Sequence, residues 1–191
     1  MRIYDSLIIG GGPAGLAVAN TLHKAGLDYL ALEKGPLANH VSQYPTFMQF
    51  FSTRDLLEID EFPLTITEDK PTRQQYLAYL ARFAQDRELN VETQIEVIGV
   101  TKNADGVFAV KTRKASGAVE LLRSRSVVVA CGAFNNPRML NVPGEELPKV
   151  THHFKEPHPY VGKKTLVVGG RNSAIEIALI LMIPWRLKLF I

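Results

Sequence analysis

The stretch "SLIIGGGPAG" near the start constrains this chain more than any other. Ser6 to Ile9 form a short apolar run of the kind a buried strand needs, and Gly10, Gly12 and Gly15 follow in G-x-G-x-x-G register. Pro13 suits the first turn of a helix, where its missing N–H would have had no intrahelical partner. The glycines have separate reasons: Gly10 permits a tight turn, Gly12 lets an anion approach bare backbone, and Gly15 lets the helix lie close to the strand. The helix, read as running to Gly26, points its positive end at that anion. A second strand, "DYLALEK", ends in Glu33, 18 residues beyond Gly15, where an acid can accept hydrogen bonds from ribose hydroxyls. Strand, glycine turn, helix, strand and acid in that order predict a β-α-β unit that binds a dinucleotide.

Composition excludes several other classes. With 191 residues, 46% of them apolar and 21% charged, the chain is an ordinary soluble globular mixture. Its net charge of +3 comes from scattered Lys and Arg without the dense basic run that nucleic acid favours, so no nucleic-acid partner is expected. The single cysteine, Cys131, rules out an internal disulfide framework and a C-x-x-C pair, which fits a reducing cytoplasm. Arg2, the apolar run and Ala17-Val18-Ala19 imitate a secretory signal. Three glycines and Pro13 interrupt that run, however, and Asp5 lies where positive charge belongs. The apolar run from Ile175 to Ile191 contains Glu176, Pro184, Arg186 and Lys188, and it is shorter than the roughly 20 residues of a membrane span.

Beyond Lys34 the rhythm changes. Residues 36–63 place Tyr44, Phe47, Phe50, Phe51 and Phe62 among prolines, too irregular for a long helix and too apolar for a linker. These rings either cover something flat and large or pack on the core. Pro71 introduces a helix with Leu77, Leu80, Ala81 and Ala84 on one face, read as core. "VETQ", "IEVIGVT", "VFAVKT" and "VELLR", separated by turn residues, predict a small antiparallel meander. "SVVVACG" reads as a separate return strand buried on both faces. Near the end, "TLVVGGRNSA" repeats the order strand, glycine turn, helix start. His152, His153 and His158 with Cys131 meet no zinc-type spacing, and no metal site is expected.

"IIGGGPAG", "EKG", "YPT" with "FFS", "VVVACG", "VPGEELPKVTHHFKEPHPY" and "VVGGRNSAIE" together resemble the two-dinucleotide-binding flavoproteins. Within them the likeness is to the bacillithiol-disulfide reductase type, kin to thioredoxin reductases and flavin-containing monooxygenases. The resemblance covers residues 1 to about 179. It implies an α/β fold, with a Rossmann-type FAD domain carrying an antiparallel meander over residues 1–140, a crossover at 141–162, and the start of an NAD(P)H-binding unit at 163–191. It also implies hydride passage from NADPH to FAD to a disulfide substrate, a small-molecule or thiol/disulfide partner, with a flavin monooxygenase or a non-catalytic remnant as alternatives. Gly10, Gly12, Pro13, Ala14 and Gly15 would hold the FAD pyrophosphate, with Glu33 and Lys34 at the ribose. Tyr44, Phe51 and Ser52 would lie near the flavin, Val97 near the adenine, and Ala130, Cys131 and Gly132 along the cofactor. Gly169, Asn172, Ser173 and Ala174 would begin an incomplete NADPH site. Ala14 stands where the bacillithiol type carries a cysteine, which removes thiol chemistry at that point, and Cys131 stands where the family's A-T-G has threonine. Arg171 occupies the middle-glycine place of the second turn, as a basic residue does in the bacillithiol type.

Because the family's FAD domain is discontinuous, the resemblance further implies that this chain binds FAD weakly or not at all and oxidises no NADPH. The tail after about Ala178 is expected to be a frameshifted remnant of a longer reading frame. Gly26 follows Gly10 by 16 residues, and 16 beyond Gly169 stands Trp185. A tryptophan codon before an arginine codon, read one nucleotide later, encodes glycine at that helix-ending place. The alternative is that Trp185 to Ile191 form a true second strand.

Overall fold

The hub of the first sheet is β1 (Ile3–Ile9), which pairs in parallel with β2 (Tyr29–Glu33) on one side and β6 (Val119–Val129) on the other. The computed structural model describes residues 2–134 and 136–183, and the backbone at 188–190. β3 (Val91–Thr93) adds in parallel outside β2, while β4 (Ile95–Lys102) and β5 (Phe108–Lys114) continue antiparallel beyond β6. The order is therefore β3-β2-β1-β6-β5-β4, so only β4, β5 and β6 make the expected antiparallel meander, while "VETQ" lies as β3 on the opposite edge, parallel to β2.

Alternation along β1 and β2 builds two cores. Leu7, Leu30 and Leu32 face Ile95 and Val110, whereas Ile8, Tyr29 and Ala31 face Ala19 of α1 (Pro13–Lys24). Every residue of β2 is buried for this reason, since both faces of the strand are covered. The helix expected to reach Gly26 ends at Lys24, and Gly26 closes it with φ +66.

Two sequence expectations need correction. "VELLR" and "SVVVACG" are not separate strands: β6 runs through Arg123-Ser124-Arg125-Ser126 without a break. Ser124 is fully buried there and its hydroxyl donates to the Ser126 carbonyl at 2.7 Å, which lets a polar residue continue a strand. Nor is the end of β6 covered on both faces, for Val127 and Val128 are half-buried and Val129 is 71% exposed.

The helix introduced by Pro71 is also rotated from its expected face. The short helices α2 (Asn39–Ser42) and α3 (Arg54–Leu57) precede α4 (Arg73–Asp86), whose buried residues are Tyr76, Tyr79, Leu80 and Phe83, with Leu77 only half-buried. Rings bury more apolar area than the alanines of the expected stripe, so they set which face turns inward. Phe50 packs edge-on against Tyr76 at 4.8 Å and Phe62 against Phe83 at 5.4 Å, so these two half-buried rings pack on the buried face of α4. Thr72 and Gln75 form a reciprocal capping box that starts the helix.

The chain divides into two compact units, Met1–Gln43 with Met48–Met139, and Tyr44–Phe47 with Leu140–Ile191. In the second, β7 (Lys164–Leu166), α5 (Asn172–Met182) and β8 (Lys188–Phe190) form a parallel β-α-β unit. β7 stops short of the expected Val167 and Val168, and Val168 is exposed. The strand at Lys188–Phe190 agrees with the second-strand alternative over those residues. Trp185 and Arg186, on which the expected frameshift rests, lie outside the described residues.

Candidate functional site

The glycine turn is shaped by contacts that each exclude a side chain, except at one position. Gly10 has φ +116, and a Cβ there would overlap the Ala130 carbonyl, whose carbon lies 2.8 Å away. A Cβ on Gly15 would overlap the Gly10 carbonyl oxygen, so the turn itself, more than the strand, demands glycine there. Gly11 faces Glu33, with only 2.9 Å to its Cβ. At Gly12 a Cβ would meet nothing within 4 Å. The bare backbone of Gly12 therefore borders open space directly at the N-terminus of α1.

That N-terminus carries no side-chain cap and no acid in its first turn, so its leading N–H groups and positive dipole end are available to an anion. Glu33 is buried at the end of β2, with one carboxylate oxygen accepting from Gly11 N–H at 2.9 Å and the other from Gly35 N–H at 3.1 Å. A carboxylate offers about four lone-pair positions, so two bonds leave capacity for ribose hydroxyls. Lys34 is exposed beside it. A cleft of about 480 Å³ continues from there, lined by Lys34, Gly35, Asn39, Gln94, Glu96 and Arg113. Arg113 is paired with Glu96 at 2.7 Å. Open backbone at Gly12, an uncapped helix end and a buried acid with spare lone pairs fit a dinucleotide of the FAD type.

The other expected site residues fall in several places. Pro13 and Ala14 open α1, with Ala14 exposed. Ala130 N–H donates to the Ile9 carbonyl at 2.8 Å, which lays the segment after β6 along the glycine turn. Cys131 is exposed, with Sγ 3.7 Å from the Ile9 carbonyl oxygen, so it is not the packed side chain that its position after an apolar strand suggests. Gly132 has φ +65. Val97 is half-buried against the core of Leu7, Leu30 and Val110. Phe51 is 58% exposed and Ser52 half-buried. In the second unit, burial pushes the Tyr44 hydroxyl above its ordinary pKa. There too, Gly169 has φ +137 at the tight turn into α5, Arg171 precedes the helix as its exposed N-cap residue, and Asn172, Ser173 and Ala174 open it.

Sequence reasoning missed three participants. Gly11 is an unassigned position of the glycine motif, yet its N–H holds Glu33 and its carbonyl accepts from Ala38 N–H at 3.0 Å. Ala38 takes a left-handed backbone at φ 54 to make that bond. His40 follows two residues later, with Nδ1 at 2.8 Å from the place of a Cβ on Gly132. No local pattern links positions 40 and 132.

A model of the family described as pyridine nucleotide-disulphide oxidoreductase matches residues 7–183. The chain belongs to that family. Among its relatives, bacilliredoxin reductase Bdr of Bacillus subtilis is 38% identical over 174 residues, covering 91% of this chain and 52% of the relative. The solved bacillithiol disulfide reductase Bdr from Bacillus cereus is 41% identical, with a TM-score of 0.91 over 95% of this chain and 56% of that one. A flavin-containing monooxygenase from Stenotrophomonas maltophilia, at 24% identity and a TM-score of 0.81, covers 99% of this chain and 57% of its own and shares the fold. The family member described here spans about half the length of these relatives. Among its described residues no helix is long and apolar enough to cross a membrane.

Proposed function

We propose that the first unit of this chain forms the nucleotide-facing part of an FAD site in an NADPH-dependent flavoprotein that reduces a disulfide. The observation that carries this is the open backbone at Gly12 above the uncapped start of α1, with Glu33 buried at the end of the neighbouring strand. The FAD pyrophosphate lies along Gly10, Gly12, Pro13, Ala14 and Gly15, and the ribose takes the remaining lone pairs of Glu33 beside Lys34. The adenine extends past Val97 toward the cleft, and Ala130, Cys131 and Gly132 follow the cofactor from the opposite side. In the second unit, Gly169, Asn172, Ser173 and Ala174 begin the NADPH site.

Bound FAD supplies a two-electron relay, so that NADPH, a proton and one disulfide become NADP and two thiols in the whole protein. Disulfide reduction ranks ahead of monooxygenation because the solved relative at 41% identity and the matching family are named for it, whereas the monooxygenase at 24% shares the fold alone. Ala14 places no thiol at the start of α1, so the chain's only cysteine is Cys131.

Flavin-fluorescence titration tests the site. The described residues leave Val129, Cys131 and Gly132 exposed, so one side of the site is open and binding weaker than about 1 μM is expected. Gly12→Val should abolish it, because a side chain would fill the space the pyrophosphate needs. Equal binding by wild type and variant would sink this assignment.

A further inference from the structure

We infer that His40 is a further contact residue of this FAD site, its Nε2–H donating to the pyrophosphate. The inference rests on the glycine turn being that site. Three contacts bring the ring there. Ala38 N–H bonds the Gly11 carbonyl at 3.0 Å and ties the start of α2 to the middle of the glycine turn. From the other side, Ala130 N–H bonds the Ile9 carbonyl at 2.8 Å, so the segment Ala130 to Gly132 passes over Gly10. His40 then closes the ring of contacts, with Nδ1 at 2.8 Å and Cε1 at 3.5 Å from the place of a Cβ on Gly132. The imidazole thus stands where the two backbone walls of the site meet.

The chemistry of the ring follows from its neighbours. Nδ1 borders the place of a Cβ on Gly132, where no donor stands, and the ring makes no hydrogen bond to any described residue. The ring is half-buried, so it pays part of a desolvation cost without a partner in the protein. Nε2 sits on the edge of the imidazole farthest from Cβ. An imidazole always has at least one N–H to donate, and a bond from it to a phosphate oxygen is charge-assisted. Glu33 is held by Gly11 and Gly35, and its remaining lone pairs serve the ribose hydroxyls of the same site. Gly132 completes the device: at φ +65 without a side chain it leaves the ring its place, and any larger residue would push the imidazole off the site.

The test uses the full chain, with FAD, ADP and adenosine as probes for wild type, His40→Ala and Gly12→Val. His40→Ala should raise the Kd for FAD and for ADP by about tenfold or more, the range of one hydrogen bond to a charged group, while leaving adenosine binding unchanged. In side-chain nitrogen NMR of the wild type, the His40 Nε2 signal should move on adding FAD or ADP and stay in place with adenosine. If Gly12→Val abolishes FAD binding while His40→Ala leaves it unchanged, the role of His40 fails and the site stands. If Gly12→Val binds FAD as wild type does, the site itself is wrong. Equal losses for adenosine and ADP in His40→Ala would reduce His40 to a structural part, and no wild-type binding at millimolar FAD would overturn both readings. Should His40→Ala lose its native circular dichroism, the wild-type Nε2 signal decides.

Discussion

Replacing Gly15 by alanine separates what the turn needs for folding from what it needs for binding. An alanine inside a helix ordinarily gains about 0.5–1 kcal/mol over glycine. At Gly15 the new methyl would overlap the Gly10 carbonyl oxygen, with the carbonyl carbon at 3.0 Å and Ile8 Cγ2 at 3.6 Å. The obstacle is backbone and cannot rotate aside, so α1 must shift off β1. Such overpacking costs about 1–3 kcal/mol, and rigid backbone puts this case near about 3. The net loss is about 2 kcal/mol. For a chain of this length that lowers the thermal midpoint by about 4–8 °C. Gly12→Ala is the control. Its methyl meets nothing within 4 Å and its φ of −84° suits any residue, so its midpoint should stay within about 2 °C of wild type. Differential scanning fluorimetry without cofactor compares the three proteins. A midpoint for Gly15→Ala equal to or above wild type would refute the packing argument, and a large drop for Gly12→Ala would refute the openness of that position.

Asp60 and Cys131 give two further tests. Hydrogen bonds from Lys24 at 2.9 Å and Asn20 at 2.8 Å hold the Asp60 carboxyl below its ordinary pKa, so its contribution is present above the unfolded value of about 4 and is lost as pH falls below it. Asp60→Asn, which tolerates the same left-handed φ of 50°, should therefore lower the midpoint at neutral pH and lose less than wild type between about pH 6 and pH 3; parallel curves would contradict this. The exposed Cys131 thiol should titrate with a thiol reagent as one equivalent per chain in native buffer, and reaction only after denaturant would show it buried.

Much of the first β-α-β unit was legible because its constraints are local. The glycine spacing, Pro13 at the helix start and the apolar run of β2 each act within a few residues, and the structure places them as the spacing implies. Glu33 was legible as an acid at a strand end, but its partners Gly11 and Gly35 were not, because an acceptor's donors depend on which backbone N–H groups the turn leaves free. The aromatic stretch stayed ambiguous for the same kind of reason. Phe50 and Phe62 pack on the core side only because α4 turns Tyr76 and Phe83 toward them, while Phe51 is exposed.

By itself, then, the sequence determined the glycine turn, the helix it opens and the acid that follows, since backbone sterics and side-chain periodicity operate along the chain. Only the tertiary structure decided the rest. β6 continues through Arg123 to Ser126 because β1 pairs along the whole segment, with β5 joining at Arg123 and Ser124, although its polarity reads as a turn. His40 meets Gly132 because β6 ends beside the glycine turn that Ala38 also touches. Residues this far apart in sequence leave no periodic trace of their contact, and it is the pairing of strands that brings them together.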